Sequence, residues 1–293
     1  MLFLFGIIII LLSSIEFPEF DFSAGETEKS DYLIDMDSSS AGRKIFTTYK
    51  WKFVGSDLSK RKCSLSFKLL EGEVQKALQL IDRIGKMSLS ELGLPPELYK
   101  ASPDVRAEFV WARIYNIVYT SSAPGLKSIT DGITKLFLNE GLNDKDKLLF
   151  LVTFVQNIKY DRPGGALDLL APLATLAKQF GDCDTKAILL YVLLERMGID
   201  CAMMWSQYYQ HAMLGIKIPT SGEYKSVNGK KYYFLETTYP GWAIGDLPPD
   251  FRNKRFWFIS EIDQNQNLNQ FNYNQNNSNN SNNRNNKPAP ATP

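Results

Sequence analysis

The chain has 293 residues, 44% hydrophobic and 22% charged, enough to bury a core without structural metals or a disulfide framework. Its 33 basic and 32 acidic residues leave a net charge of +1, which argues against a dedicated nucleic-acid binder with a basic face. A single histidine, His211, excludes every site built from two histidines, and three scattered cysteines (Cys63, Cys183, Cys201) exclude a four-cysteine metal centre.

Leu2–Leu12 (LFLFGIIIILL) is apolar apart from Gly6. As a helix it would span about 16 Å, well short of the roughly 30 Å of a bilayer core. It has the length of a signal-peptide core, although no basic residue precedes it and no A-x-A site follows. Residues 1–16 are therefore expected to be a signal peptide or short membrane anchor, and residues 17–40, rich in Asp, Glu and Ser, a linker. The alternative for the apolar run is a buried N-terminal strand or helix. A signal sequence would place the protein outside the cytoplasm, where Cys63 and Cys201 could pair.

Residues 41–104 read as accessory strands and helices. Tyr49, Trp51 and Phe53 alternate, then Cys63, Leu65 and Phe67, with Gly55-Ser56-Asp57 between them; this predicts two antiparallel strands. Helical patterning follows at 72–85, 103–120 and 126–138. Leu148, Leu151, Val152 and Val155 keep helical spacing, with Asp144 or Asp146 as the expected cap. Asp161-Arg-Pro-Gly-Gly165 breaks the structure, and a further helical stretch runs through Leu176. GDCDTKA then opens a long apolar helix, Thr185 to Met197, stopped by Gly198. Strands are expected at Asp200–Met204, His211–Ile218 and Tyr232–Thr237. Residues 105–262 form the expected α+β core. In residues 264–286, 13 of 23 are Asn and four are Gln, too little apolar surface to offset the entropy of ordering, so 263–293 is expected to be a disordered tail. Two N-x-S sequons, at Asn276 and Asn279, lie in it.

The chemistry concentrates between Gly181 and Thr238. Cys183 falls at a helix N-terminus, where unpaired N–H groups and the macrodipole favour a thiolate. Gly181 gives the preceding turn freedom to present the sulfur. Asp182 and Asp184 are expected caps whose charges oppose the thiolate. His211, 28 positions on, opens a strand and can exchange the thiol proton. Glu236 ends an apolar strand in YYFLETT and can orient the imidazole. Taken singly, each also reads as something plainer: a small buried thiol, a half-buried ring, an edge-strand charge.

FVQNIKYD, GDCDTKAILLYVLLERMGI, HAMLGI and YYFLETT together resemble the core of the transglutaminase-like superfamily of cysteine enzymes, over roughly residues 105–250. The Y-x-W-x-F pattern at Tyr49 is similar to strands preceding that core in some prokaryotic members. The resemblance implies a papain-like arrangement in which a helix bearing the cysteine packs on an antiparallel sheet bearing histidine and acid. It implies Cys183 as nucleophile, His211 as base and Glu236 as orienting acid, where the family more often has Asp. Other cysteine families fit worse. Papain-type enzymes place the histidine about 130–150 residues beyond the cysteine, and caspases place it upstream. A Cys-His-His peptidase needs a second histidine.

The expected reaction is acyl transfer on an amide, a peptide bond or a glutamine side chain, through a Cys183 thioester. The Cys183 N–H is the first oxyanion donor, with Gln156 or Gln179 as candidates for the second. Trp205, Tyr208, Tyr209 and Trp242 are expected either to line a substrate groove or to fill core. Hydrolysis would make the protein a secreted peptidase or amidase; an amine acceptor would make it a protein-glutamine transglutaminase. A non-catalytic binding domain of the same fold is the reading from another class. No metal or organic cofactor and no nucleic acid is expected. The expected partners are a protein or peptide substrate and, through the N-terminus, a membrane or cell surface.

Overall fold

The computed structural model describes residues 27–36 and 42–262. The apolar run at Leu2–Leu12 and the Asn-rich tail lie outside them. Among the described residues, no helix is long and apolar enough to cross a membrane.

The chain is mixed α+β. A three-stranded sheet comes first: β1 (Thr27–Asp35), β2 (Lys44–Val54) and β3 (Lys60–Leu70), in the order β1-β3-β2. β2 and β3 are antiparallel and place Tyr49 opposite Leu65 and Trp51 opposite Cys63, so the apolar members of both strands share one buried face. β1 was expected to be linker and is instead an edge strand, parallel to β3 from Thr27↔Arg61 to Asp35↔Lys68. Its buried Ile34, followed by Met36, explains why this polar segment is held.

Helices α1 (Glu71–Ile84), α2 (Pro103–Ser122), α3 (Lys127–Asn139) and α4 (Asp144–Gln156) follow. The cap of α4 is Asn143, whose side chain accepts from the Asp146 N–H at 2.9 Å. Neither aspartate expected there serves as the cap. Asp146 instead accepts from the Ser56 N–H at 2.6 Å, tying the β2–β3 turn to α4. α4 packs on β2. Phe150 and Phe154 reach into the sheet, where Phe150 meets the rings of Trp51 and Phe53 at 5.0 and 5.7 Å.

The short pair β4 (Lys159–Tyr160) and β5 (Phe180–Gly181) is parallel and brackets α5 (Pro172–Lys178). Next comes α6 (Cys183–Glu195), in which every residue from Thr185 to Leu194 is buried. A helix apolar on all sides must be packed on all sides: α6 lies against α4, α5, β6 and β7. Gly198, at φ +74°, ends the stretch with bonds from its own N–H to Glu195 O and from the Ile199 N–H to Leu194 O.

The second sheet is antiparallel, in the order β10-β6-β7-β9-β8, from β6 (Cys201–Ser206), β7 (His211–Ile216), β8 (Tyr224–Val227), β9 (Lys230–Leu235) and β10 (Phe258–Ser260). One continuous apolar cluster runs from the first sheet through α4 and α6 to β6 and β7, so the N-terminal strands share their core with the helix that bears Cys183. Cys63 and Cys201 do not pair. Both are free and buried, one in each sheet, and the Cys201 thiol points at Tyr191 O, 3.8 Å away.

Candidate active site

His211 and Glu236 meet at one end of the β7–β9 pair, and Cys183 opens the helix packed against the strand that carries His211. The register sets Leu214 opposite Leu235, so His211, first in β7, and Glu236, just past β9, emerge at the same end. His211 Nε2 lies 2.8 Å from Glu236 Oε2. Glu236 Oε1 accepts two further bonds, from the Thr238 N–H at 2.7 Å and the Thr238 hydroxyl at 2.5 Å. The carboxylate is almost fully buried. Burial pushes its pKa up, but the imidazole and the Thr238 donors outweigh that and hold it below the ordinary carboxylate range. The imidazole is affected in the opposite sense. Burial works against its charge, yet the Glu236 carboxylate, with Asp184 and Asp182 behind it, leaves its pKa above the usual value. Phe251 stacks on the ring at 4.8 Å.

Cys183 is the first residue of α6. Asp182 caps the helix, accepting from the Thr185 N–H at 3.0 Å. Gly181 serves by its smallness, since a Cβ there would come within 2.4 Å of Thr185 Cγ2; its φ is not in the left-handed region. The sulfur accepts from the backbone N–H of Ala212, the neighbour of His211. His211 also contributes to the electrostatics of Asp184, which touches the sulfur. The strand that carries His211 is therefore laid against the start of the helix that Cys183 opens.

The expectation of a readily ionised thiol is overturned. Cys183 is 5% exposed, and its pKa is pushed well above the ordinary value, first by burial, then by Asp184 and Asp182. The helix terminus and the Ala212 N–H do not offset these. Cys183 Sγ lies 3.5 Å from Asp184 Oδ2, to which it donates, and the other Asp184 oxygen accepts from the buried Tyr115 hydroxyl. Asp182 is itself raised to about 7, by burial and by Asp184. In the resting site the proton stays on sulfur.

A test follows. Asp184→Asn removes one neighbouring negative charge, so the thiol pKa falls and the thiolate fraction below that pKa rises. Alkylation of Cys183 by iodoacetamide near pH 8 should accelerate about tenfold, the effect of roughly one unit, with the acid limb displaced to lower pH. An unchanged rate would mean that Asp184 carries no charge at that pH.

Cys183 Sγ and one oxygen each of Asp182 and Asp184 lie within 4.8 Å of one another. Asp182 is engaged by Thr185 and Asp184 by Tyr115 and by Cys183 itself, so the cluster forms a satisfied hydrogen-bonded set, and we assign it no metal.

Neither glutamine proposed for the oxyanion is placed for it. Gln156 is buried, its amide donating to Glu236 O at 2.8 Å and Trp242 O at 2.9 Å. The Gln179 amide donates to Thr48 O at 2.7 Å. Of the flanking aromatics, Trp205 is core, bonded to Ser260 and stacked on Phe258. Tyr209 packs against the small cluster around Trp257. Tyr208 is exposed and stacked on Phe256 at 3.9 Å. Trp242 is partly buried.

The sequence reading missed Tyr160 and Tyr239, two partly exposed stacked rings beside the site: Tyr160 pairs with Gly181, two residues before Cys183, and Tyr239 follows Thr238. It also missed Tyr115, Phe251, Thr238 and Lys186. The one available signal was Lys186, a lysine inside a helix with no polar face. Comparison with protein-family models, with curated proteins and with solved structures finds no match to this chain.

Proposed function

We propose that the chain is a thiol-dependent acyl-transfer enzyme acting on amides, with Cys183 as nucleophile, His211 as acid–base and Glu236 as the acid that orients it. The observation that carries the reading is the His211–Glu236 bond at 2.8 Å, beside a cysteine that opens a helix and takes a hydrogen bond from the residue next to that histidine. The arrangement of α6 against β7 and the end of β9 is the one implied by the resemblance to transglutaminase-like enzymes, and it supports a papain-like core.

Glu236 occupies Nε2 and leaves Nδ1 for the thiol. Because the sulfur is protonated at rest, its proton passes to His211 as the sulfur attacks the amide carbonyl. The tetrahedral oxyanion meets the Cys183 N–H, one of the first N–H groups of α6, which have no partner inside the helix. Collapse breaks the C–N bond, His211 protonates the leaving amine, and a thioester remains. Water resolves the thioester in a peptidase or amidase. We take hydrolysis as the outcome, on the resemblance to prokaryotic members, and place the enzyme outside the cytoplasm on the character of residues 1–16.

The test is incubation with a quenched peptide library, with and without a primary amine, followed by mass spectrometry. Cleavage products insensitive to a chelator are expected. Amine adducts on glutamine would instead establish a transglutaminase, and neither product would leave a binding domain.

A further inference from the structure

Resting on that reading, we propose that Lys186 is the positioning residue of the acid–base pair: its buried ammonium, one turn along α6 from Cys183, fixes Thr238 and through Thr238 the carboxylate that orients His211. Lys186 is 0% exposed. Its Nζ donates to three main-chain carbonyls, Thr238 O at 2.6 Å, Ile158 O at 2.7 Å and Gln156 O at 3.0 Å. Two of these belong to the end of α4 and the segment just beyond it, where orphan carbonyls and the helix dipole favour a cation. The third belongs to the residue that holds Glu236.

The bonds close a circuit. From α6, Lys186 holds the Thr238 carbonyl. The Thr238 N–H and hydroxyl hold Glu236 Oε1. Glu236 Oε2 holds His211. The Ala212 N–H, next along β7, returns to the Cys183 sulfur on α6. Gln156 reinforces the same loop from α4 by bonding Glu236 O and Trp242 O. A solvent-facing lysine would need none of this, and a buried one is costly to keep unless its donors are satisfied. Burial brings its pKa down to about 7, with Glu236 pulling the other way.

The single histidine supplies a probe that needs no substrate. In the full-length protein, the Nε2–H proton shared with Glu236 should give one downfield, slowly exchanging proton resonance, assignable without ambiguity because no other imidazole exists. In Lys186→Met that resonance is expected to be lost, with melting and circular dichroism showing a folded protein. If Lys186→Met does not fold, Lys186→Gln, which keeps donors but shortens their reach, is read by the same criterion. A folded variant that keeps the resonance at its wild-type position overturns the proposal, even if it melts earlier, because a purely structural lysine would lower stability alone. The readout is independent of turnover, so absence of amide cleavage by the wild type would sink the proposed function and leave this result standing.

Discussion

Turnover should fall to background in Cys183→Ala and His211→Ala, and by about 10⁴-fold in Glu236→Gln. The glutamine variant is the more informative. Thr238 offers two donors to Glu236 Oε1, so the replacing amide must present its carbonyl there and turn its NH2 group toward His211 Nε2. Nε2 must then accept, which drives the ring proton to Nδ1, the nitrogen that in the proposed mechanism receives the proton of Cys183. The shape of the site survives while the tautomer is wrong. The sign of the titration follows as well. Glu236 holds the His211 pKa up, so the variant's imidazole should titrate lower than the wild type's, as proton NMR of the lone ring will show. Activity within tenfold of wild type would remove Glu236 from the mechanism.

The largest effect on stability is expected at Phe150. It is 2% exposed and touches the rings of Tyr32, Trp51, Phe53 and Phe137, joining α4 to the first sheet. Phe150→Ala removes these contacts and leaves a cavity that neighbours on the first sheet and α3 cannot fill. A loss of about 3–5 kcal/mol is expected in urea unfolding. A loss below about 1 kcal/mol would mean that the N-terminal strands are an appendage and not part of the core that holds α6.

Legibility in the sequence followed the range of the interactions. The β2–β3 hairpin announces itself through the alternation of Tyr49, Trp51 and Phe53 around a short turn, and α6 through an apolar run opened by Asp182 and closed by Gly198. β1 depends on a parallel pairing with a strand some thirty residues away, and Tyr32, Ile34 and Met36 were its only local sign. The approximate places of Cys183, His211 and Glu236 could be read because each sits at the end of an element. The charge state of the thiol could not, since it depends on how deeply the sulfur is buried and on where the Asp182 and Asp184 carboxylates turn. The bonding of Gln156, Gln179 and Lys186 was equally hidden. All three donate to carbonyls far along the chain, and a main-chain acceptor leaves no trace in residue identity. The cysteine pairing failed on simple separation, because β3 and β6 belong to different sheets.

The sulfur's bond from the Ala212 amide has an evolutionary corollary. Because the contribution comes from the main chain, exchange of that alanine for any residue other than proline leaves the amide hydrogen in place. Donor and imidazole are consecutive on one strand, so a sliding or tilting of that strand carries both together and preserves their spacing to each other. Drift in side chains along β7 can therefore retune the walls around the sulfur while the placing of donor and imidazole relative to each other is inherited from the backbone.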